Sequence, residues 1–252
     1  MDFEKEIDIF HEHVTNNYEM SNELVVLKYN HTLMVTRIMA LLCHKLKLSD
    51  EDINLALHIA LFHDLGRFEE VKIRQEFNNI KFDHAVYSNK VLFENGFINN
   101  FNIKESDYEL IKKANYYHNK KDLGNDLDER EEFFCKLIRD ADRMDIFRVL
   151  TEHYNNLFDG VSSDMLLEQF YNGETIDIKD LKTRGDRVLL RFGFVKLFSF
   201  PESNETLREI GFFEKYVESV RVKSENRELF EELVKEIRDI LKGVKNYVRK
   251  KV

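Results

Sequence analysis

The chain has 252 residues, 43% of them hydrophobic and 34% charged, with one proline, nine glycines and a net charge of −9. That length holds a sizeable core, and so little proline and glycine excludes collagen-like or linker-rich architecture in favour of long helices. The acidic balance excludes a general nucleic-acid-binding surface, which needs clustered positive charge, but not a small anionic substrate held by a metal. Cys43 and Cys135 are the only cysteines, in neither a CxxC nor a zinc-ribbon spacing, and read as buried free thiols of a reducing compartment. The charged start Met1-Asp2-Phe3-Glu4 has no signal-peptide core, and no apolar run reaches the length of a membrane span. A cytoplasmic protein with neither nucleic-acid nor membrane partners is expected; nothing in the sequence marks its oligomeric state.

In chain order, Phe3, Ile7, Phe10 and Val14 recur every three or four positions and predict a helix over 3–18. His11 and His13 lie off or beside its stripe and are expected in solvent. Residues 22–48 form the longest periodic segment, with Leu24, Leu27, His31, Met34, Ile38, Leu41 and Leu42 on roughly one face. His31 is thus on the apolar side, where a lone histidine is more often a hydrogen-bonded core residue than a ligand. Ser49-Asp50-Glu51-Asp52 is a helix start, with Ser49 as N-cap and acids in the first turn. That helix runs through Ile53, Leu57, Ala60 and Leu61 to His63-Asp64, with Gly66 as its stop.

Residues 66–82 lack periodicity and predict a loop, with a turn at Asn78-Asn79. Asp83 or His84 opens a helix over 84–94 that Gly96 ends. Ser106-Asp107-Tyr108-Glu109 has the form of a capping box for a helix ending near His118-Asn119. Residues 122–128 read as a polar loop. From near Leu127 a helix carries Phe133, Phe134, Leu137, Ile138, Ala141 and, after a small bend, Ile146 and Val149. Beyond Gly160 the chain stays helical but has no histidine. Phe192, Phe194, Phe198 and Phe200 read as a core stripe rather than a pocket wall, ended by Pro201, and a last amphipathic helix spans about Glu225 to Lys242, stopped by Gly243. The expectation is a single all-α domain over 1–252, with a core over about 22–158 and a helical extension over about 159–252 packed on it.

The motifs gather around Leu61-Phe62-His63-Asp64-Leu65-Gly66-Arg67-Phe68, where a histidine beside an aspartate puts two good metal ligands at a helix end. His31, then His63-Asp64, then Asp142 in Arg139-Asp140-Ala141-Asp142-Arg143-Met144-Asp145, resemble the H…HD…D signature of the HD-domain superfamily of metal-dependent phosphohydrolases, over roughly 25–150. Asp142 matches because it follows the alanine of an Asp-Ala-Asp-Arg run; Asp140 and Asp145 compete with it. His84 and His118, each at a helix end among polar residues, fall between. The order His, His-Asp, His, His, Asp is that of members with two metals.

The resemblance implies an HD-domain helical bundle with a C-terminal helical extension. It also implies that His31, His63, Asp64 and Asp142 hold one ion and Asp64, His84 and His118 a second, with Asp64 as the bridge. Imidazole with carboxylate suits Mn, Fe, Ni or Zn better than Ca or Mg. Neutral imidazoles, two carboxylates and two divalent ions leave a centre about two charges positive, which attracts phosphate and acidifies a bridging water. Asp64 and Arg67 are the candidate catalytic residues. Arg67, just past Gly66, is expected to hold a phosphate bidentately, against a surface salt bridge to Glu69 or Glu70. Lys112 and Lys113 read as solvated charges. Asp83, Asn119, Asp140 and Arg143 are candidates to orient the ligands, and His44, His58 and His153 have no place in the pattern.

The expected activity is hydrolysis of a small phosphate ester, such as a nucleotide, by a metal-bound hydroxide. Two alternatives use the same residues: a di-iron oxygenase of the superfamily, and a non-catalytic metal-stapled sensor. The chain lacks a Gly-Tyr-Pro motif, which counts against the cyclic-di-GMP phosphodiesterase branch. Arg67 stands where the alarmone hydrolases carry an acidic residue, and no Walker-type phosphate loop is present.

Overall fold

The computed structural model describes residues 3–77 and 82–244, so the turn expected at Asn78-Asn79 lies outside the described residues. The described chain is all-α apart from two very short strands. It forms two compact units, Met1–Asp142 and Arg143–Val252. No helix among the described residues is long and apolar enough to cross a membrane.

The first unit holds α1 (Glu4–Asn17), α2 (Glu23–Lys45), α3 (Asp50–Phe62), α4 (Leu65–Arg74), α5 (His84–Asn89), α6 (Tyr108–Tyr117) and the start of α7 (Glu129–His153). Side chains set the starts of three of these. Asn22 accepts from the Leu24 N–H, Ser49 from the Asp52 N–H, and Asp83 from the Ala85 and Val86 N–H groups. Each satisfies donors that a helix leaves orphaned at its first turn. In α3 every residue from Leu55 to Phe62 is buried, the mark of a helix enclosed on all sides. His63 and Asp64 therefore emerge in the middle of the unit, not on its rim.

Several local expectations are corrected. Residues 66–82 are not one loop, since α4 occupies Leu65–Arg74 and buries Leu65, Phe68 and Val71 at helical spacing. Gly66 stops nothing: it sits in the first turn of α4, where a Cβ would lie 2.0 Å from the His84 carbonyl oxygen and 2.8 Å from the Ser88 nitrogen. The glycine allows a backbone-to-backbone approach of α4 and α5. On α2 the buried face runs through Val35, Ile38, Met39 and Leu42, leaving Leu41 exposed, because a long helix meets more than one neighbour. The capping box before α6 does not form: a 3-10 turn over Glu105–Asp107 leads straight in, with Asp107 in helical conformation and no side-chain cap. After Asn89, α5 widens into a π turn over Lys90–Glu94, and α7 runs unbroken to His153. His13 is half-buried, its ring stacked 4.0 Å from that of Phe97, and burial lowers its pKa. Cys43 and Cys135 are buried and free, and burial pushes both thiols up to about 12.

The second unit continues from α7 through β1 (Leu157–Phe158), α8 (Asp164–Asn172), α9 (Arg184–Lys196), α10 (Pro201–Ile210), α11 (Phe212–Ser219), β2 (Arg221–Val222) and α12 (Arg227–Leu241). β1 and β2 pair in parallel, Leu157 with Arg221 and Phe158 with Val222. Of the expected core stripe only Phe192 is buried, packing with Phe213, Tyr216 and Phe230 at ring separations of 5.4, 6.2 and 5.9 Å. Phe194, Phe198 and Phe200 are half-exposed, and the last two line a cavity of about 580 Å³ with Arg208 and Lys242. Pro201 does not close the aromatic segment but opens α10, where its fixed φ and missing N–H fit the first helical turn.

Candidate metal centre

Four helices and one corner bring the polar side chains together in the first unit. His31 comes from the buried face of α2. His63 is the C-cap of α3 and Asp64 the residue before α4. His84 is the first residue of α5, His118 the C-cap of α6, and Asp142 lies on α7. Two groups of donor atoms result, each within 4.8 Å of one another: His31, His63 and Asp142, and Asp64, His84 and His118.

Asp64 stands between them. Its Oδ2 is 3.5 Å from His31 Nε2 and 3.5 Å from His63 Nε2, while its Oδ1 is 3.5 Å from His84 Nε2 and 3.6 Å from His118 Nε2. Asp142 Oδ1 lies 3.1 Å from His31 Nε2 and 4.0 Å from His63 Nε2. Asp142 is also the most open of the six, with 20% of its side chain exposed against 7% or less for the others. Of its two competitors, Asp145 is taken by Arg148, at 2.6 and 2.8 Å, and buried Asp140 belongs to neither donor group.

The residues fit a metal on three counts. The His63 Nδ1–H donates to the Ala60 carbonyl at 2.7 Å and that of His118 to the Asn115 carbonyl at 2.5 Å. A carbonyl only accepts, so both rings present an Nε2 lone pair to the centre. His63 Nε2 is buried with no hydrogen-bond partner, and the Nε2 atoms of His84 and His118 face each other at 3.1 Å. Donors about 2.0–2.2 Å from one ion stand about 3.0–3.5 Å from each other, close to the spacings seen.

Electrostatics keep four of the donors, His63, His84, Asp64 and Asp142, in ligand form. Burial lowers the His63 pKa to about 4, against the opposing pull of Asp64 and Asp142, and burial likewise holds His84 well below its usual value. For Asp64, burial alone would raise the carboxyl, but Lys28 first, then the surrounding histidines, hold it well below the carboxylate range. Asp142 is lowered in the same way by His31 and His63 against its burial. Neutral imidazoles beside ionised carboxylates are what divalent metals bind.

Of the remaining candidates, Arg67 is placed beside Asp64, with Nε 3.8 Å from Oδ1, and its Nη1 donates to the fully buried Glu70 at 2.6 Å. The salt bridge to Glu70 given as the alternative is thus present, but buried rather than at the surface. Asn119 reaches His84 at 3.2 and 3.4 Å, and Asp83 is paired with Lys120. Arg143 instead donates to the Leu197 carbonyl, and Lys112 and Lys113 pair with Glu109 and Glu131.

Three participants escaped the sequence reading. Lys28 sits one turn before His31 on α2 and donates to Asp64 Oδ2 at 2.7 Å; a lysine three residues from a candidate ligand on the same face was the available signal. Buried Ser88 donates to the His63 carbonyl at 2.9 Å and accepts from the Gly66 N–H at 2.8 Å. Buried Arg139 donates to the carbonyls of Tyr117, Lys120 and Lys121 at 2.9, 2.7 and 3.0 Å, locking the turn that carries His118.

An all-α unit with two clusters of largely buried histidine and aspartate, one on either side of the Asp64 carboxylate, has the donor set of a helical metal-binding protein. Residues 29–148 match the model of the HD domain, so this stretch is an HD domain, the fold of a superfamily of metal-dependent phosphohydrolases that binds divalent metal ions. No curated protein and no solved structure matches the chain.

Proposed function

We propose that the protein hydrolyses a small phosphate ester at a two-metal centre held by His31, His63, Asp64, His84, His118 and Asp142. The observation that carries this reading is the placement of Asp64, whose two carboxylate oxygens each face a separate set of donors. One ion would be held by His31, His63, Asp64 and Asp142 and the other by Asp64, His84 and His118. Mn, Fe, Ni or Zn suits these donors. Bound there, two such ions supply positive charge for phosphate oxygens and acidify a water for attack on phosphorus.

The chain's own residues do the rest. Lys28 and Arg67 flank Asp64 and both lie over the Phe77 ring, at 5.5 and 5.9 Å from its centroid. They form a cationic wall for the non-bridging oxygens of a phosphate. Glu70 fixes the Arg67 guanidinium in place, so little ordering is left for the binding step. Burial disfavours the protonated forms of His63 and His84, so a proton competes poorly with a metal for those lone pairs. The enclosing shell of α3 excludes bulk water from the far side of the centre.

The test is to strip the purified protein of metal, reload it with Mn, Co, Ni, Fe or Mg, and assay a panel of phosphomonoesters and nucleotides. Phosphate release that depends on the reloaded metal is expected. Silence across every metal and substrate would remove the reading. A mixed-valent di-iron EPR signal with substrate-linked oxygen uptake would move the chain to the oxygenases.

A further inference from the structure

The six donors are unequally supported. His31 and Asp142 stand within long helices, α2 of 23 residues and α7 of 25, and His63 ends the enclosed α3. His84 instead opens a helix of six residues that runs on into the π turn over Lys90–Glu94, and His118 caps a helix of ten. Helices fray from their ends, so both residues of this pair stand where the backbone needs support from outside its own helix. Two fully or nearly fully buried side chains that no chemical step uses meet that weakness.

Ser88, one turn after His84 on the same helix, is 0% exposed. Its hydroxyl donates to the His63 carbonyl at 2.9 Å while accepting the Gly66 N–H at 2.8 Å. One hydroxyl thus ties the His84 helix to both sides of the His63-Asp64 corner. At Gly66 the two backbones are already as close as they can come, since a Cβ would stand 2.0 Å from the His84 carbonyl oxygen. Arg139, one turn before Asp142 on α7, is 7% exposed. Its guanidinium spans the carbonyls of Tyr117, Lys120 and Lys121, on both sides of His118. One clamp therefore runs from the first donor group to His84 and the other to His118.

We infer that Ser88 and Arg139 are positioning residues that set the affinity of the His84–His118 metal position, leaving the position formed by His31, His63 and Asp142 to stand without them. This rests on the two-metal reading above. Loss of either clamp lets a helix end fray, which moves an imidazole off the line that meets Asp64 Oδ1. Neither clamp is a ligand, so neither removes a donor.

The experiment compares the full-length parent with Ser88→Ala and Arg139→Lys, the second of which keeps the charge but loses the planar fork. Metal-free proteins are titrated with Mn(II) and followed by calorimetry, by metal analysis and by EPR, with thermal melting of the metal-free forms as the folding control. The parent is expected to take two equivalents and to give the spectrum of a coupled dimanganese pair. Each variant is expected to keep one tight equivalent and to bind the second about 10–100-fold more weakly, with an isolated-ion six-line spectrum at one equivalent. Two equivalents of unchanged affinity in both variants would overturn the inference while leaving the two-metal reading in place. Loss of both equivalents in folded variants would overturn it too, because the clamps would then serve the whole centre. A parent that takes one equivalent or none ends the two-metal reading, and the inference with it. If Ser88→Ala fails to fold, Arg139→Lys decides alone.

Discussion

The two units treat buried charge in opposite ways. In Arg143–Val252 the buried Asp186 carboxylate accepts the backbone N–H groups of Ser162, Lys182 and Thr183 at 2.7, 2.8 and 2.8 Å. Buried Lys196 there donates to Glu236 at 2.8 Å. Both charges find their complement within the fold. In Met1–Asp142 the buried donors converge on one point, and His63 Nε2 has no hydrogen-bond partner. A buried polar atom without a partner destabilises a scaffold, and it persists where something outside the chain completes it. Burial alone thus does not mark a site, nor does one unpartnered atom, since Gln169 Oε1 and Asn204 Oδ1 of the second unit have none either; the convergence of several buried metal-binding donors on one point does.

The sharpest way to break this contrast is Asp64→Ala. It removes the atom pair that serves both donor groups, so metal content should fall from two equivalents to none and metal-dependent turnover should go with it. Retention of either ion, measured by metal analysis, would show that the groups do not share Asp64.

Acid should separate the units next. An unfolded imidazole takes up a proton near pH 6.5, whereas His63 does so only at about 4 because burial disfavours its charged form. Between those values the unfolded state binds the extra proton, so the metal-free first unit should lose a few kcal/mol as pH falls from about 6.5 to about 4. Asp186 behaves otherwise. Burial would raise its carboxyl, but the Ser162, Thr183 and Lys182 N–H groups hold it below its usual value. Its contribution is complete above about pH 3.9 and is lost only as pH falls through that lowered value. Segment-resolved hydrogen exchange from pH 7 to 3.5 should show the first unit opening first; simultaneous opening would deny the contrast.

Substitutions that leave the metal question aside have smaller effects. Asp186→Ala strands three backbone donors and should cost the second unit about 3 kcal/mol, seen as a lower urea midpoint with metal content unchanged. His63→Leu should abolish metal binding while leaving the Tm of the metal-free protein nearly unchanged, because shedding the unpartnered Nε2 offsets the loss of the Nδ1–H bond to the Ala60 carbonyl. A fall in Tm of more than about 4 °C, roughly 1 kcal/mol or more, would mean that the ring's packing and its Ala60 bond outweigh the unpartnered nitrogen.

Much of the centre was legible because its chemistry is written in residue type and order. His31, His63, Asp64, His84, His118 and Asp142 were named from the chain, and they stand together in the structure. What escaped was whatever acts through a partner distant in sequence. Ser88 is one serine among several until its hydroxyl is found between residues 22 and 25 positions away. Arg139 is a charged residue of a charged run until its carbonyl partners appear. Gly66 illustrates the ambiguity best, since glycine signals a left-handed turn and a close contact equally well, and the local pattern favoured the wrong one. That error hid α4, although Leu65, Phe68 and Val71 carried its period. Pro201 carries a related ambiguity, because a proline can end one element and open the next in the same step.

Gly66 also limits how the protein can change. With 2.0 Å between a would-be Cβ and the His84 carbonyl oxygen, the contact of α4 with α5 is a hard stop: it has no side chain to shorten or lengthen. Point substitution at that contact gives no graded series of spacings between the His63-Asp64 corner and His84. Selection for an ion of another radius would have to work through the identity of the donor atoms, because the ruler between them has a single mark.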